Sequence, residues 1–455
     1  MSETDRSRGV DTLLGDPKSA IRRLSIPMII AMSLQTAYNL FDAIWVSGLG
    51  SDALAAVGFA FPIFFVIMGI GAGIGIGGSS AIARRIGARD TAGAARVLSH
   101  TLVLTILASV VLSVVLFVLA EDIFIAMGAG DVTPLATEYG RVVFGGAVTI
   151  MLASVLSATL RGEGDARRSS IYLALGSVLN IILDPIFIYG LDMGIAGAAW
   201  ATVVAFGITS LALLHVYLAG KDTFVRLELR QYTWSKNVNR EVLAVGAPAS
   251  LQYASMALTQ FVLIALILMV DDTDGVAIYS TGWRVVSMAI VAIQGVASAV
   301  TPVTGAAFGA RSWDKLSTSH LYAVRFGLGI GGVLLLFLFI FAPQVTTLFT
   351  WSADSKHLFD DLVVFIRIFA FMIPGVAFGM LSSATFQGMG MGVRALIATI
   401  FRAVILSVLF CYILGVVLGF GLIGIWVGLC SANVISSLIV FAWVRITIRR
   451  LSTTV

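Results

Sequence analysis

The sequence predicts an all-α polytopic membrane protein, in which twelve transmembrane helices form two pseudo-symmetric six-helix bundles. Three observations support this fold class: the composition, the number of long apolar segments and an internal repeat. Of the 455 residues, 58% are hydrophobic and only 12% are charged, and the mean hydropathy is +0.99. A soluble core of this length does not need so much apolar surface.

Twelve apolar segments reach or exceed the roughly 20 residues that a helix needs to cross the hydrocarbon of a bilayer. Each is bounded by charges, Gly or Pro, whereas the strands of a membrane barrel would be about half as long and would alternate in polarity. We therefore expect helices. The predicted spans are 24–49, 54–83, 97–119, 137–160, 168–190, 195–218, 243–270, 277–306, 319–342, 362–387, 394–418 and 422–446.

An internal repeat relates the two halves of the chain, because three pairs of segments recur in the same order at nearly one offset, 222 to 227 residues. The pairs are "GARD" from Gly87 and "GARS" from Gly309, "TLRGEGDAR" from Thr159 and "TFQGMGMGVR" from Thr385, and "MGIAGAAWA" from Met193 and "FGLIGIWVG" from Phe420. Six helices per repeat imply an axis along the membrane normal, an architecture of transporters in which one bundle rocks against the other. Duplication for packing alone is the alternative.

The predicted organisation is a tail at 1–23, an amino lobe at 24–218, a linker at 219–242, a carboxy lobe at 243–446 and a tail at 447–455. The linker is the only long polar segment inside the chain, and it falls where a two-lobed protein needs a connection. Its pattern "VRLELRQYTW" is compatible with an amphipathic helix on the membrane surface and equally with a structureless tether.

Charge asymmetry predicts the orientation of the chain. Of the 29 Lys and Arg residues, 25 fall in segments assigned to the side of the termini, while the opposite loops are acidic. Both termini are therefore predicted to be cytoplasmic, in a multi-pass protein of the plasma membrane. The net charge of +4 then reports topology and implies no nucleic-acid partner. The first 20 residues lack the features of a removable signal peptide.

The first predicted span carries a polar stripe. Gln35, Asn39 and Asp42 are spaced i, i+4 and i+7, so they share one helix face, with Tyr38 beside them. Such a stripe is expected to face a cavity or another helix and not lipid. Pro27, near the start of the span, removes a backbone donor and permits bending of the helix.

The fifth predicted span contains the only other acidic residue placed well inside an apolar segment of the first half. Asn180 and Asp184 lie at i and i+4, Pro185 frees a backbone carbonyl, and Thr202 in the sixth span offers a further oxygen. A carboxylate at such depth costs roughly 3 kcal/mol. Carboxylate, amide and hydroxyl oxygens suit sodium, and a carboxylate also exchanges protons, so the coupling ion is H⁺ or Na⁺. The alternative is hydrogen bonding between helices alone.

Other motifs point away from catalysis. The glycine-rich segment from Gly69 is expected to allow close helix packing, since a phosphate loop would need a Lys and a preceding strand. The "DDTDG" cluster from Asp271 would suit a membrane enzyme that binds a magnesium diphosphate, but no second acidic motif accompanies it. The four histidines lack metal-ligand spacing, and Cys411 and Cys430 both fall in predicted spans. We therefore expect neither an enzyme nor a cofactor.

The motifs "YNLFDAIWVSGLG" from Tyr38, "RGEGDAR" from Arg161 and "LNIILDPIFIYGLDMGIAGAAWAT" from Leu179 resemble signatures of the multidrug and toxic compound extrusion (MATE) family of the MOP superfamily. The second half lacks equivalent acids, and in this respect the chain resembles the archaeal and DinF-like branch of the family. The resemblance implies a cation site at Asp42, Asn180, Asp184 and Thr202. It also implies that a substrate cavity in the amino lobe is bordered by Gln35, Tyr38, Tyr139, Ser154 and Ser157.

What the resemblance implies is a secondary active antiporter that exports organic cationic or amphipathic drugs and toxic compounds in exchange for H⁺ or Na⁺. Its two lobes would alternate access, and one chain would supply the whole pathway as a monomer in the lipid bilayer. The alternative is a flippase for lipids or lipid-linked sugars of the same superfamily. Such flippases commonly have cationic cavities, so the buried acids of the amino lobe favour export of small cations.

Overall fold

The computed structural model describes residues 3–219, 223–227, 232–350 and 353–453. Throughout these ranges all regular elements are helical, which confirms the predicted all-α class. The first half contains α1 (Glu3–Leu14), α2 (Pro17–Ser47), α3 (Ser51–Gly87), α4 (Thr91–Val118), α5 (Ala120–Ala126), α6 (Thr133–Gly145), α7 (Ala147–Gly162), α8 (Ala166–Pro185) and α9 (Gly194–Ala219). A short 3₁₀ helix covers Gly130–Val132, and a π-helical segment, Ile186–Gly190, extends α8.

The second half contains α10 (Lys236–Ile267), α11 (Thr273–Gly309), α12 (Trp313–Thr347), α13 (Phe359–Ala370), α14 (Met372–Gly388), α15 (Gly392–Ile400), α16 (Ser407–Cys411) and α17 (Gly421–Thr453). A 3₁₀ helix covers Ala353–Leu358, and π-helical segments at Phe401–Leu406 and Tyr412–Val417 flank α16. The helix of the first span begins at Pro17, earlier than the predicted residue 24. Its start is set by Asp16, which accepts a hydrogen bond from the Ser19 backbone N–H at 3.0 Å.

Within the described ranges, ten helices are long and apolar enough to cross a membrane, and the number becomes twelve when two bent helix pairs are each counted as one span. The bent pairs are Gly130–Gly145 with Ala147–Gly162, at 46°, and Lys356–Ala370 with Met372–Gly388, at 43°. They correspond to the predicted fourth and tenth spans. The two bends therefore occur at matching places in the two halves.

The internal repeat is also present in the backbone. Helices α3 and α11 each contain 37 residues and start 222 residues apart. Each is followed by a residue of positive φ, Arg89 at 59° and Arg311 at 51°. The loops after α7 and α14 likewise place Gly164 and Gly390 at φ 86° and 79°. Matching helix lengths and matching turns confirm that the two bundles are pseudo-symmetric.

The two bundles meet where the ends of α3 and α11 cross. A side chain at Gly87 would overlap the carbonyl oxygen of Ala306, and one at Gly309 would overlap that of Arg84. Because Gly87 matches Gly309 and Arg84 matches Ala306 in the repeat, the contact is reciprocal, as a two-fold relation requires. Only glycine permits this approach of one backbone to the other.

The glycine-rich segment of α3 packs the amino lobe against the carboxy lobe. Gly73 lies against Gly246 and Ser250 of α10, and Gly77 lies against Val242 and Gly246. Neighbouring glycines on the opposite face of α3 contact α7. The expectation that this segment serves close helix packing is confirmed.

An ion-paired latch joins the lobes at the end of the bundle that carries the linker, here called the basic end. Glu241 of α10 contacts Arg84 at 3.4 Å and Arg85 at 2.7 Å. Ser80 of α3 donates a hydrogen bond of 2.5 Å to the carbonyl oxygen of Gln387 in α14. These contacts close the cleft between the lobes at the basic end.

Residues 223–227 and 232–235 of the linker are non-helical and lie against the amino lobe, whereas α10 begins at Lys236, inside the predicted linker. The buried Glu163 carboxyl group accepts hydrogen bonds from the backbone N–H groups of Phe224 at 3.0 Å and Val225 at 3.3 Å, both through Oε2. Further along, the Ser235 N–H donates to His100 at 3.1 Å. Residues 228–231 of the predicted amphipathic segment lie outside the described residues, so the alternatives of helix and tether stay predictions there.

Candidate functional site

The first site is built around Asp184, which is fully buried near the end of α8. Asn180 lies one turn earlier, and Thr202 projects from α9. With its oxygen toward α9, the Asn180 amide is satisfied at both ends. It then donates to Asp184 Oδ2 at 3.2 Å and accepts from Thr202 Oγ1 at 3.1 Å. The predicted cation residues of α8 and α9 therefore form one hydrogen-bonded cluster.

Asp42 completes this group from the neighbouring helix α2. Its half-buried carboxylate interacts with that of Asp184, and the phenols of Tyr38 and Tyr139 lie within electrostatic reach of both acids. We call Asp42, Asn180, Asp184 and Thr202 the acidic site. Asp184 Oδ1 is buried and has no hydrogen-bond partner among the described residues. Two neighbouring carboxylates with an unpaired oxygen are suited to share a proton or to bind a cation.

The other predicted residues of the first span differ in their surroundings. Gln35 lines a cavity between the lobes, whereas Asn39 is exposed on the surface of α2. α2 continues through Pro27 as one unbroken helix. Pro185 is the last residue of α8, where the backbone changes to the π-helical segment. Of the polar stripe, Gln35 therefore faces the cavity between the lobes, and Asp42 faces the acidic site.

A cavity of about 350 Å³, here called the central cavity, lies between the two lobes. This volume is within the range of small-molecule sites. Residues of both lobes line it, and its polar groups include four glutamines, Gln35, Gln252, Gln294 and Gln387. Ser154 lines it as well. Ser157 does not: it is buried behind the wall and contacts Ser169 at 2.7 Å.

Two arginines on opposite sides of the cleft also line the central cavity, Arg161 from the last turn of α7 and Arg402 from the π-helical segment after α15. Both are among the charges that the sequence assigns to the loops of the cytoplasmic side. In the structure, each side chain is part of the wall between the packed lobes. The signal in the sequence was the position of Arg402 inside a predicted span, where an ionisable residue indicates function.

The polarity of the two sites is opposite. Among the described residues that line the central cavity, none is Asp or Glu, while the acidic site contains no Lys or Arg. The argument that buried acids favour a cationic substrate therefore applies to the acidic site and does not extend to the central cavity. Methionines contribute much of the apolar wall, at Met32, Met68, Met256 and Met380.

Comparison with curated proteins gives relatives along most of the chain. It is 28% identical over 442 residues to the "Probable multidrug resistance protein YoeA" of Bacillus subtilis (strain 168), covering 94% of each protein. It is also 28% identical over 344 residues to an "FAD transporter" of Shewanella oneidensis (strain ATCC 700550 / JCM 31522 / CIP 106686 / LMG 19005 / NCIMB 14063 / MR-1), covering 74% of each.

Among solved structures, the outward-facing conformation of a multidrug resistance MATE family transporter of the MOP superfamily superposes with a TM-score of 0.95. The two sequences are 44% identical, and the match covers 98% of this chain and 99% of the other. The family model MatE matches residues 27–186 and 248–413, one segment in each half. The chain therefore belongs to the MatE family of multi-pass membrane transporters.

Proposed function

We propose that this transporter is a secondary active antiporter, which exports organic, cationic or amphipathic compounds in exchange for H⁺ or Na⁺. The observation that carries the proposal is the acidic site, where the carboxyl groups of Asp42 and Asp184 interact and one Asp184 oxygen has no partner among the described residues. The absence of equivalent acids from the second half of the sequence supports the archaeal and DinF-like branch.

Coupling would follow from different cation affinities in two conformations. A cation can bias the equilibrium between inward-open and outward-open states only if it binds one of them more tightly. Asp42 and Asp184 belong to different helices, so a cation between them stabilises whichever arrangement of α2 and α8 brings the carboxylates together. The latch at Glu241 would have to open when the cleft opens at the basic end, which we propose to be cytoplasmic.

The first helix is the element we expect to respond to the cation. Pro27 lacks an N–H group, so α2 has one backbone hydrogen bond fewer near its basic end. Neutralising Asp42 would allow α2 to rearrange near Pro27 and reduce the cavity. Normal transport by Pro27→Ala, with an unchanged coupling ratio, would remove this part of the mechanism.

The names of the relatives support transport of small molecules but do not agree on one substrate. The Bacillus subtilis relative is named for multidrug resistance, and the Shewanella oneidensis relative is named for FAD. The two names therefore do not identify one substrate class. The proposal therefore leaves the native substrate open within the amphipathic class and places a complete pathway in a single chain, which we propose to act as a monomer in the plasma membrane.

The test uses purified protein in liposomes. A sodium gradient and a proton gradient are imposed separately, and the efflux of a fluorescent amphipathic compound is followed, once with a terminal ammonium group and once with a terminal carboxylate. We expect one gradient to drive efflux, and we expect Asp42→Asn and Asp184→Asn to abolish it. Efflux that needs neither carboxylate would contradict the proposal.

A second variant distinguishes the two ions. Thr202 and Asn180 provide neutral oxygens, which a sodium ion requires as ligands and a proton on a carboxylate does not. If sodium is the coupling ion, Thr202→Val should raise the sodium concentration for half-maximal efflux by about tenfold. Unchanged coupling in this variant would indicate a proton.

A flippase for lipids or lipid-linked sugars is the second candidate, and the two arginines of the central cavity favour it. In the same liposomes, a fluorescent phospholipid is placed in one leaflet and its accessibility to dithionite is followed. Lipid movement without efflux of either fluorescent compound under either gradient would replace the antiporter by the flippase.

A further inference from the structure

The central cavity contains positive charge that no acidic residue balances. Arg402 is 7% exposed, and its guanidinium forms no hydrogen bond to a described residue. Ser407 contacts only the backbone carbonyl of Arg402, at 2.9 Å. An arginine keeps its charge in proteins, and a buried charge is costly unless it is paired. A guanidinium that serves only packing would be expected to have such a partner.

Arg161 lies on the amino-lobe side of the same cavity and is held in place from behind. Its Nη1 donates to Ser157 Oγ at 3.1 Å and to Ser169 Oγ at 3.0 Å. No salt bridge to Arg161 occurs among the described residues, so its charge is as unbalanced as that of Arg402. Nη1 alone is engaged, so the Nε and Nη2 donors of this fork remain for a ligand. The two hydroxyl groups orient the guanidinium without neutralising its charge, and an oriented guanidinium is suited to bind a carboxylate or a phosphate.

The remaining wall fits the rest of an amphipathic molecule. Gln252 and Gln387, which are linked by a hydrogen bond of 3.2 Å, and Gln294 offer neutral polar contacts. The methionines supply flexible apolar surface that adapts to different shapes. The cavity therefore offers two positive charges, several neutral polar groups and an adaptable apolar wall.

We propose that the central cavity binds the phosphate or carboxylate group of an amphipathic substrate between Arg161 and Arg402. This inference rests on the proposed transport function and narrows its substrate to molecules that carry an anionic group. The acidic site then serves the coupling cation, and the central cavity serves the substrate. A substrate whose only charge is positive would meet two arginines in this cavity and would bind weakly.

Binding is measured without any gradient, so that the result does not depend on antiport. Three probes share a dansyl group and an alkyl chain and differ only in a terminal carboxylate, phosphate or ammonium. Their fluorescence is titrated with purified protein in an uncharged detergent. We expect the anionic probes to bind at least about tenfold more tightly than the ammonium probe. Equal binding of the three probes, or tighter binding of the ammonium probe, would overturn the proposal. This test uses only the wild-type protein.

The variants locate the anion. Arg402→Gln and Arg161→Gln should each weaken binding of the carboxylate probe by about tenfold, whereas Arg402→Lys should retain most of it. Arg367→Gln is the matched control, because Arg367 is exposed on α13 and lies outside the central cavity. Carboxylate binding that is unchanged in both cavity variants, with folding verified by gel filtration, would overturn the proposal.

Competition identifies the source of the anionic group. Displacement of the carboxylate probe by inorganic phosphate would indicate a soluble substrate, and displacement only by phosphatidylglycerol added to the micelles would indicate a lipid headgroup. Gradient-driven cation efflux that persists in Arg402→Gln and is lost in Asp184→Asn, together with failure of the anionic probes to bind, would refute the anion site and leave antiport standing. Binding of the anionic probes that depends on Arg402, with no efflux under either gradient, would refute antiport and leave the anion site standing.

Discussion

The acidic site and the central cavity contain buried charge of opposite sign. In the acidic site, two carboxylates lie together with an amide and a hydroxyl, and one carboxylate oxygen has no partner among the described residues. In the central cavity, two guanidinium groups have no carboxylate partner within the described part of the chain. Each site therefore contains unpaired charge of one sign, and the acids of one site do not form ion pairs with the arginines of the other among the described residues.

This separation shows why buried charge alone does not identify the substrate of a transporter. The acids lie in α2 and α8 of the amino lobe, whereas the arginines lie in α7 and in the segment after α15, one in each lobe. A charge pair within one site would neutralise both groups and leave nothing for a ligand. Keeping the signs apart lets one conformational equilibrium respond to two different ligands.

The largest expected effects come from removing one charge and measuring both sites. Asp184→Asn should reduce gradient-driven efflux to the level of empty liposomes and leave binding of the carboxylate probe unchanged. Arg402→Gln should instead weaken binding of the carboxylate probe by about tenfold. Both measurements are made on the same protein preparation. Loss of probe binding in Asp184→Asn would show that the two sites act as one.

The next prediction adds a positive charge to the second half, at the position that matches Arg161 in the repeat. Gln387 occupies the place in the second half that Arg161 occupies in the first, and both line the central cavity. Gln387→Arg should therefore strengthen binding of the carboxylate probe by roughly threefold, since a third cation is added at close range. Gln387→Met is the neutral control. Weaker binding in the arginine variant would mean that this part of the wall does not face the anion.

A smaller effect concerns access to the central cavity from the basic end. Glu241→Gln removes the acid that pairs with Arg84 and Arg85, so the latch should weaken and the cleft should open there more often. With Ser79→Cys as a reporter in a background where Cys411 and Cys430 are alanine, maleimide labelling from that side should accelerate about threefold.

The matched control for the latch is Glu121→Gln, which removes an exposed ion pair of 3.3 Å with Arg141 away from the latch. Exposed pairs of this kind contribute little to stability. Equal acceleration of labelling in both variants would show that general loosening, and not the latch, controls access.

The smallest effect is on stability and involves an acid outside both sites. Burial raises the pKa of the Glu163 carboxyl to about 8, although the N–H groups of Val225 and Phe224 act to lower it. The folded protein therefore favours the protonated form. Its stability should fall as the pH rises from about 4.5 to about 8 and should be constant above that range.

Glu163→Gln should remove this decline, so the melting temperature of the variant should exceed that of the wild type by a few degrees at pH 8 and by less at pH 5. Thermal unfolding in detergent across this range measures the difference. The same ion gradient should drive efflux in this variant and in the wild type. A wild-type melting temperature that increases from pH 5 to pH 8 relative to the variant would contradict the buried, protonated acid.

Much of the fold could be predicted because its signals are local. Hydropathy identifies a spanning segment from about 20 neighbouring residues, and the repeat is visible as recurring motifs. The spacing of Asn180 and Asp184 places them on one helix face. What such spacing does not contain is orientation between helices, which is why Asn39, on the same predicted stripe as Asp42, is exposed in the structure.

Ser157 shows a second limit. The resemblance to the family assigns it to the border of the cavity, whereas in the structure it lies behind Arg161 and holds that side chain. A residue one turn from a guanidinium on the same helix can support it or line the cavity beside it, and only the packing of α8 against α7 decides between these two roles.

The class, the number of spans, the duplicated plan and the acids at depth could be predicted from the amino-acid sequence, because each depends on hydropathy or on spacing along the chain. That Arg161 and Arg402 line one cavity follows only from the packing of the helices. Those residues belong to different lobes, and the close contact of glycine-lined helices brings them together. Hydropathy counts an arginine as a charge at the end of a span, and only packing shows whether that charge faces water, lipid or a substrate.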